Sequence, residues 1–306
     1  MTHPLPFEGV YPAMTTPFED DERIDFEQLQ ANAQRLEAAG VDGLVPVGST
    51  GESATLSHDE HVEVVEAVID AVDDVPVIAG TGSNNTREAL SLSRQAAEAG
   101  ADALLLISPY YNKPEQRGLL SHYRTIADEI DVPQIVYNVP SRTGRNIDPD
   151  TAVALAEHEN IAAFKAASGD LGQITEIVER TRNQDFAVLS GDDALTLPML
   201  SIGATGAISV VANVEPERFA AMVGSALAGD YERAQRLHHE LGPLMRALFV
   251  ETNPIPVKEA MAMRGLGSPE LRSPLSRLSA EHRDHLSAVL QALEENEFRA
   301  SPEMER

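Results

Sequence analysis

One lysine stands in the middle of an apolar run, Ile161-Ala162-Ala163-Phe164-Lys165-Ala166-Ala167, which then breaks into Ser168-Gly169-Asp170. The chain holds three lysines, Lys113, Lys165 and Lys258, against twenty arginines. A protein that otherwise draws its positive charge from Arg has a reason to keep Lys in an apolar setting. An ammonium can lose its proton on desolvation, and a guanidinium cannot. A neutral amine near pH 7 is a nucleophile toward ketones, and burial is the usual way to lower its pKa that far. The competing reading of this segment is a lysine that lays its aliphatic stem along the strand and keeps its ammonium in water.

Other residues of chemical interest close other apolar runs. Gly48-Ser49-Thr50-Gly51-Glu52 offers backbone N–H groups and two hydroxyls, which suit a small carboxylate, although many Gly/Ser/Thr loops look alike. Tyr137 ends the run before that of Lys165, so its phenol is either a proton carrier for the amine or a buried structural tyrosine. Arg142 follows as a fork for a second carboxylate or as a brace for its own loop. Together these residues would let a keto acid condense on Lys165 as an imine. Loss of a methyl proton then gives an enamine, a carbon nucleophile that adds to an aldehyde. The iminium is the electron sink, so the scheme calls for no metal and no other cofactor. The chain has no HExxH and no persuasive ligand spacing; His238-His239 are neighbours that point different ways on a helix and read as surface.

Bringing such residues to one rim requires a scaffold of short buried strands. Eight Val/Ile/Leu/Ala-rich runs qualify: 9–18, 43–48, 75–82, 102–111, 134–140, 161–167, 187–191 and 206–213. Nearly continuous apolar runs are the mark of parallel strands buried on both faces. Helical periodicity fills the gaps at 26–39, from the capping box Ser57-His58-Asp59-Glu60 onward, and at 86–99, 116–129, 149–157, 171–182 and 193–201. The junction Ala39-Gly40-Val41-Asp42-Gly43-Leu44 recurs as Ala99-Gly100-Ala101-Asp102-Ala103-Leu104, which argues for repeated βα units. The expected fold is α/β, a (β/α)8 TIM barrel over residues 1–229 with its chemistry at the C-terminal strand ends. Beyond it, 216–227, 231–249, 254–264 and 280–295 read as helices, and 230–306 is expected to form a C-terminal helical region available for an oligomer contact.

The net charge is −26, from 49 acidic and 23 basic residues. That field excludes nucleic acid and anionic membrane as partners. No apolar run approaches the roughly 18 residues that span a bilayer. Met1-Thr2-His3-Pro4-Leu5 lacks a secretory pattern, so a cytoplasmic protein is expected. There is no cysteine, hence no disulfide and no thiolate metal site. Acidic residues spread along a chain nearly devoid of Lys read as adaptation to a high-salt cytosol, where screening relieves self-repulsion; an ordinary acidic enzyme is the alternative.

Taken together, the chain resembles the pyruvate-dependent class I aldolase family over essentially its whole length. The likeness is carried by Gly48-Ser49-Thr50-Gly51-Glu52, Tyr110-Tyr111-Asn112-Lys113-Pro114, Tyr137-Asn138-Val139-Pro140 and Lys165 with its Ala-Ala-Ser-Gly-Asp sequel. Ser190-Gly191-Asp192-Asp193 and Asn253-Pro254-Ile255-Pro256-Val257-Lys258 extend it. It resembles most the branch that condenses pyruvate with L-aspartate 4-semialdehyde toward lysine and diaminopimelate. Branches that cleave N-acetylneuraminate or 2-keto-3-deoxy sugar acids are the alternative, and a non-catalytic barrel that binds a small acid is a third. Arg142 favours the first, because a sugar substrate needs hydroxyl partners rather than a second carboxylate fork.

The resemblance implies Lys165 as Schiff-base lysine and Tyr137 as proton relay. Ser49 and Tyr111 would complete a hydroxyl triad, with Tyr111 reaching across a dimer contact within a homotetramer. Thr50 and Gly51 would hold the pyruvate carboxylate, Gly191 and Ile208 would line the pocket, and Arg142 would meet the semialdehyde carboxylate. Ser53, Ala54, His58, His61, Asn84, Glu88 and Tyr110 match positions that bind L-lysine as an inhibitor in some members. From spacing alone, His58 and His61 share a helix face and read as solvated. The chain departs from the family pattern at Ser49, usually Thr, and at Ala166, where Glu is common and bears on substrate choice.

Overall fold

The computed structural model describes residues 7–300, so the Met1–Leu5 stretch and residues 301–306 of the C-terminal region lie outside the described residues. Its strands are β1 Gly9–Pro12, β2 Ile78–Gly80, β3 Ala103–Ile107, β4 Gln134–Asn138, β5 Ile161–Ala166, β6 Ala187–Ser190 and β7 Gly206–Ser209. They form one parallel sheet in the order β1-β7-β6-β5-β4-β3-β2.

The run 43–48, expected as a strand, is instead an irregular eighth stave between the two edges. Single parallel bridges join Ala13 to Val45 and Leu44 to Val77. Val45 N–H donates to Pro12 O at 2.9 Å and Ile78 N–H to Leu44 O at 2.8 Å, so this segment pairs on both sides and closes the barrel. It cannot extend as a ladder for a local reason. Pro46 has no N–H to donate, and Val47 has φ 49°, a left-handed conformation that a β-branched residue adopts only under constraint. The chain thereby turns out of the barrel at Gly48, where the hydroxyl-bearing loop begins.

Side chains alternate along each strand. Ala103 and Leu105 of β3 join Tyr11, Ile78, Ile135, Ala163, Leu189 and Ile208 in an inner cluster. Leu104 and Leu106 point outward into a larger cluster with Val136, Phe164, Leu119 and Ile174. The same alternation along β5, with Phe164 outward, sends Lys165 to the interior.

The helices between strands are α1 Phe26–Ala38, α2 His58–Ile69, α3 Thr86–Ala99, α4 Gln116–Glu129, α5 Pro140–Thr143, α6 Pro149–Ala156, α7 Leu171–Thr181 and α8 Thr196–Ser201. The capping box at Ser57 and Glu60 starts α2, and left-handed Gly100 ends α3. The one-turn α5 carries Arg142 and was not expected; Pro140 starts it, and a single turn leaves no periodicity to read. After β7 come α9 Pro216–Leu227, α10 Tyr231–Ala247, α11 Ile255–Met263 and α12 Ala280–Ala300, with α10 packed on α9 and α12 and α11 on α12. No helix among the described residues is long and apolar enough to cross a membrane.

The β1–β7 seam is tight. A Cβ at Gly206 would lie 2.2 Å from the Gly9 carbonyl oxygen, whereas one at Gly224, in α9, would meet nothing within 4 Å. Gly206→Ala is therefore expected to lower stability by about 1–3 kcal/mol, and Gly224→Ala to raise it by about 0.5–1 kcal/mol. Thermal unfolding in molar KCl checks both, and equal effects of the two changes would contradict the packing described.

Candidate active site

Lys165 sits near the C-terminal end of β5 with 6% of its surface exposed, in register with Tyr137 on β4 and Leu189 on β6. Its stem does not carry the ammonium to water, which removes the solvated alternative. Desolvation brings its pKa down to about 7. The Asp193 carboxylate opposes that fall, and the Arg142 guanidinium adds to it. A large share of the amine is therefore neutral near pH 7. Lys165 Nζ lies 4.1 Å from the centroid of the Tyr137 ring. Burial pushes the Tyr137 phenol up to about 12, with Arg142 pulling the other way. Tyr137 thus stands protonated and suits a relay rather than a resident base. A Cβ at Gly191 would be 2.9 Å from Lys165 Cε, so only glycine leaves the lysine its place.

These residues open on a cavity of about 970 Å³ lined by Ser49, Thr50, Tyr137, Arg142, Lys165 and Gly191 among others. Four strand-end segments thus contribute to one space, as the barrel reading requires. The Thr50 hydroxyl accepts from Asn253 Nδ2 at 2.9 Å. Arg142 Nη2 donates to the Asn253 carbonyl at 2.7 Å, which anchors one edge of the guanidinium against the C-terminal region.

Three expected residues sit elsewhere. Ile208 belongs to the inner apolar cluster, and Val210 lines the cavity two residues on. Gly51 shapes the turn: its N–H donates to Gly48 O at 3.1 Å and its carbonyl accepts from the Thr16 hydroxyl at 2.7 Å. Tyr111 is 91% exposed at φ 66° and lies outside the lining of this cavity.

A second cavity of about 420 Å³ shares Ser49, Ser53, Arg142 and Asn253 with the first as a common wall. Ala54, His58, His61, Glu88 and Tyr110 also line it. Asn84 stands behind, its Oδ1 accepting from Tyr110 N–H at 2.8 Å. His58 Nε2 is 2.9 Å from Glu88, which also accepts from the Ser83 hydroxyl. These bonds, Ser83 first and then His58, hold the Glu88 carboxyl below its ordinary range.

The solvated reading of both histidines holds for His58 alone. His61 is buried, with Nε2 2.8 Å from the Gly80 carbonyl, and burial pushes its pKa down to about 4. It is neutral, with the proton on Nε2. Helix spacing could not reveal this, because the covering wall comes from β2. His239 is exposed as expected, while His238 is half-buried.

Asp193 acquired no role from the sequence. Its buried Oδ2 accepts from the N–H groups of Val210 and Val211 at 3.1 and 2.9 Å, and desolvation raises its pKa to about 6. The doubled aspartate after Ser190-Gly191 was the available signal. Asn253 stood only as the first residue of the family-like stretch that ends at Lys258, with no role, since the contacts that make it matter are 111 and 203 residues away in sequence. Among the described residues no group of three or more His, Asp or Glu is placed to hold a metal ion.

The sequence model of the dihydrodipicolinate synthetase family matches residues 6–293. A 4-hydroxy-tetrahydrodipicolinate synthase of the halophile Haloarcula marismortui is 75% identical over 290 residues, covering 95% of either chain. A crystal structure of a dihydrodipicolinate synthase superposes with TM-score 0.91 at 50% identity, over 94% of this chain and 99% of the other. Another, from Cyanidioschyzon merolae with lysine bound, does so with TM-score 0.91 at 39% identity, over 95% and 99%.

Reductive trapping of an α-keto acid on Lys165 should rise with pH and level off above about 7, because only the neutral amine attacks. Asp193→Asn removes a charge that favours the ammonium, so the midpoint moves down. Arg142→Gln removes one that disfavours it, so the midpoint moves up. A midpoint near the ordinary lysine value of about 10.4 would contradict the desolvated amine.

Proposed function

The chain belongs to the dihydrodipicolinate synthetase family, and we propose that it condenses pyruvate, held as an imine on Lys165, with L-aspartate 4-semialdehyde. The observation that carries this reading is Lys165 itself, a buried amine with a pKa near 7 in a cavity that also holds a hydroxyl turn and an arginine fork.

Lys165 Nζ attacks the pyruvate carbonyl carbon, and the oxygen leaves as water. The turn at Ser49 and Thr50 receives the pyruvate carboxylate, with Gly51 shaping that turn. Gly191 leaves room beside the lysine stem. Tyr137, protonated at rest, carries protons to the departing oxygen and away from the methyl carbon. The resulting enamine carbon attacks the aldehyde, while Arg142 holds the aldehyde substrate by its carboxylate. Attack of that substrate's own amine on the imine carbon closes the ring and releases Lys165. The iminium supplies the electron sink throughout.

Tyr111 faces solvent outside this cavity, and we assign it to the site of a neighbouring copy, in a dimer-based assembly of four chains. The second cavity is a regulatory site for L-lysine. Glu88 there offers a carboxylate to an ammonium, and the shared wall of Ser49, Ser53 and Arg142 links occupancy to the active cavity.

Trapping, kinetics, chain mixing and lysine titration test these statements. Borohydride should fix pyruvate on the parent chain and not on Lys165→Ala. Arg142→Ala should raise KM for the semialdehyde by about 10-fold or more, the loss of a charge-assisted fork, and mixing Lys165→Ala with Tyr111→Phe chains should restore turnover to hybrid sites. Preference for glyceraldehyde over the semialdehyde would move the chain to sugar-acid chemistry. L-lysine titrated in molar KCl should lower the rate, and Glu88→Gln should weaken that effect; a flat titration rules the regulatory site out.

A further inference from the structure

Lys258 is buried as deeply as Lys165, and the chemistry above gives it nothing to do. Its Nζ lies 2.6 Å from Glu52 Oε1, with side-chain exposures of 1% and 0%. The fully buried Phe18 ring closes one side, its centroid 4.1 Å from Nζ. The other Glu52 oxygen accepts the Arg272 backbone N–H at 3.1 Å. A buried ion pair is weak ground for stability, since well-packed apolar residues of similar volume do as well or better. Its meaning lies in what it holds.

Glu52 ends the turn that carries Ser49 and Thr50, and it does so at φ 54°. A long side chain stays in that region only where its surroundings impose it. Within the turn Gly51 N–H donates to Gly48 O at 3.1 Å, and Glu52 N–H to Ser49 O and Ser53 N–H to Gly48 O are longer at 3.3 Å, while the Thr16 hydroxyl holds the Gly51 carbonyl at 2.7 Å; none of these bonds reaches the Thr50 or Glu52 side chain. The C-terminal region holds those two side chains. Asn253, just before α11, holds the Thr50 hydroxyl and receives Arg142, and Lys258, inside α11, holds Glu52. One short segment thus grips both carboxylate-binding elements of the cavity. Lysine suits the slot because one carboxylate oxygen faces it, which a point charge satisfies and a planar fork does not.

We propose that Lys258 is a positioning residue of the reaction: through Glu52 it fixes the Ser49-Thr50 turn at the spacing from Lys165 that pyruvate requires. This rests on the reading that the turn receives the pyruvate carboxylate. Small misplacements at such a site are costly, about 100-fold for 1 Å.

Steady-state kinetics, borohydride trapping and thermal unfolding are measured on Lys258→Met, Lys258→Arg and the double variant Glu52→Gln/Lys258→Met. KM for pyruvate should rise about 10-fold or more in each, and KM for the semialdehyde should move less. Lys258→Met leaves a lone buried carboxylate and lowers Tm. The double variant removes that charge and recovers Tm, yet keeps the raised pyruvate KM. A merely structural pair would recover both together. A folded variant with parental pyruvate KM overturns the proposal, and any one of the three that folds decides it. If the parent fails to trap pyruvate, the reading of the site falls instead.

Discussion

Desolvation of one amine is the constraint on which the rest of the molecule depends. An exposed lysine is protonated and inert toward a carbonyl, so Lys165 must be kept from water while its reactants, which are charged, must reach it. The barrel answers by height. Inside the barrel, Tyr11, Ile78, Leu105, Ile135, Leu189 and Ile208 make an apolar interior with Tyr137. Above it, the strands run out into the Ser49–Thr50 turn, Arg142 and Gly191. Charge is balanced at the boundary between the two: Arg142 pushes the lysine toward its neutral form and Asp193 pushes it back. Asp193 is itself half-committed, since burial raises its pKa to about 6 while two backbone N–H groups stabilise its anion.

Closing the barrel and opening the site are the same local event. Residues 43–47 pair on both sides only briefly, because Pro46 lacks a donor and Val47 turns left-handed. A regular strand there would have carried the chain on past the rim. The turn it releases is closed by its own backbone bonds, and the C-terminal region holds its side chains through Asn253 and Lys258. Residues after β7 therefore belong to the site, whatever boundary is drawn around the barrel.

Much of this was legible because each strand had to be buried on both faces and so left an apolar run between helix caps. The extents of α3, α4 and α9 match the periodicity residue for residue. What the sequence hid was long-range. His61 read as solvated because its own helix face says nothing about β2 lying against it. Asn253 meets Thr50 and Arg142 only through the folded chain. Gly51 and Ile208 lie one or two positions from lining residues, and Gly51, with no side chain, acts on the turn through its backbone. Tyr111 is 91% exposed and outside the cavity lining, so packing within one chain gives it no role.

The lysine signal itself owes its clarity to the surface. A net charge of −26 and a relative 75% identical from a halophile fit a chain whose exterior is acidic and whose cations are almost all arginine. Where lysines are scarce, one that is buried reports constraint rather than solubility, and of the three only Lys113 is exposed. Lys165 and Lys258 are both buried, and each site asks for something a guanidinium does not supply. At the first, the cation must be able to discharge; at the second, it must fit one carboxylate oxygen beside an aromatic face. Arginine fails the first requirement by its pKa and the second by its shape. Two different physical reasons thus call for the same residue type, one at a desolvated amine and one at the carboxylate that ends the Ser49–Thr50 turn.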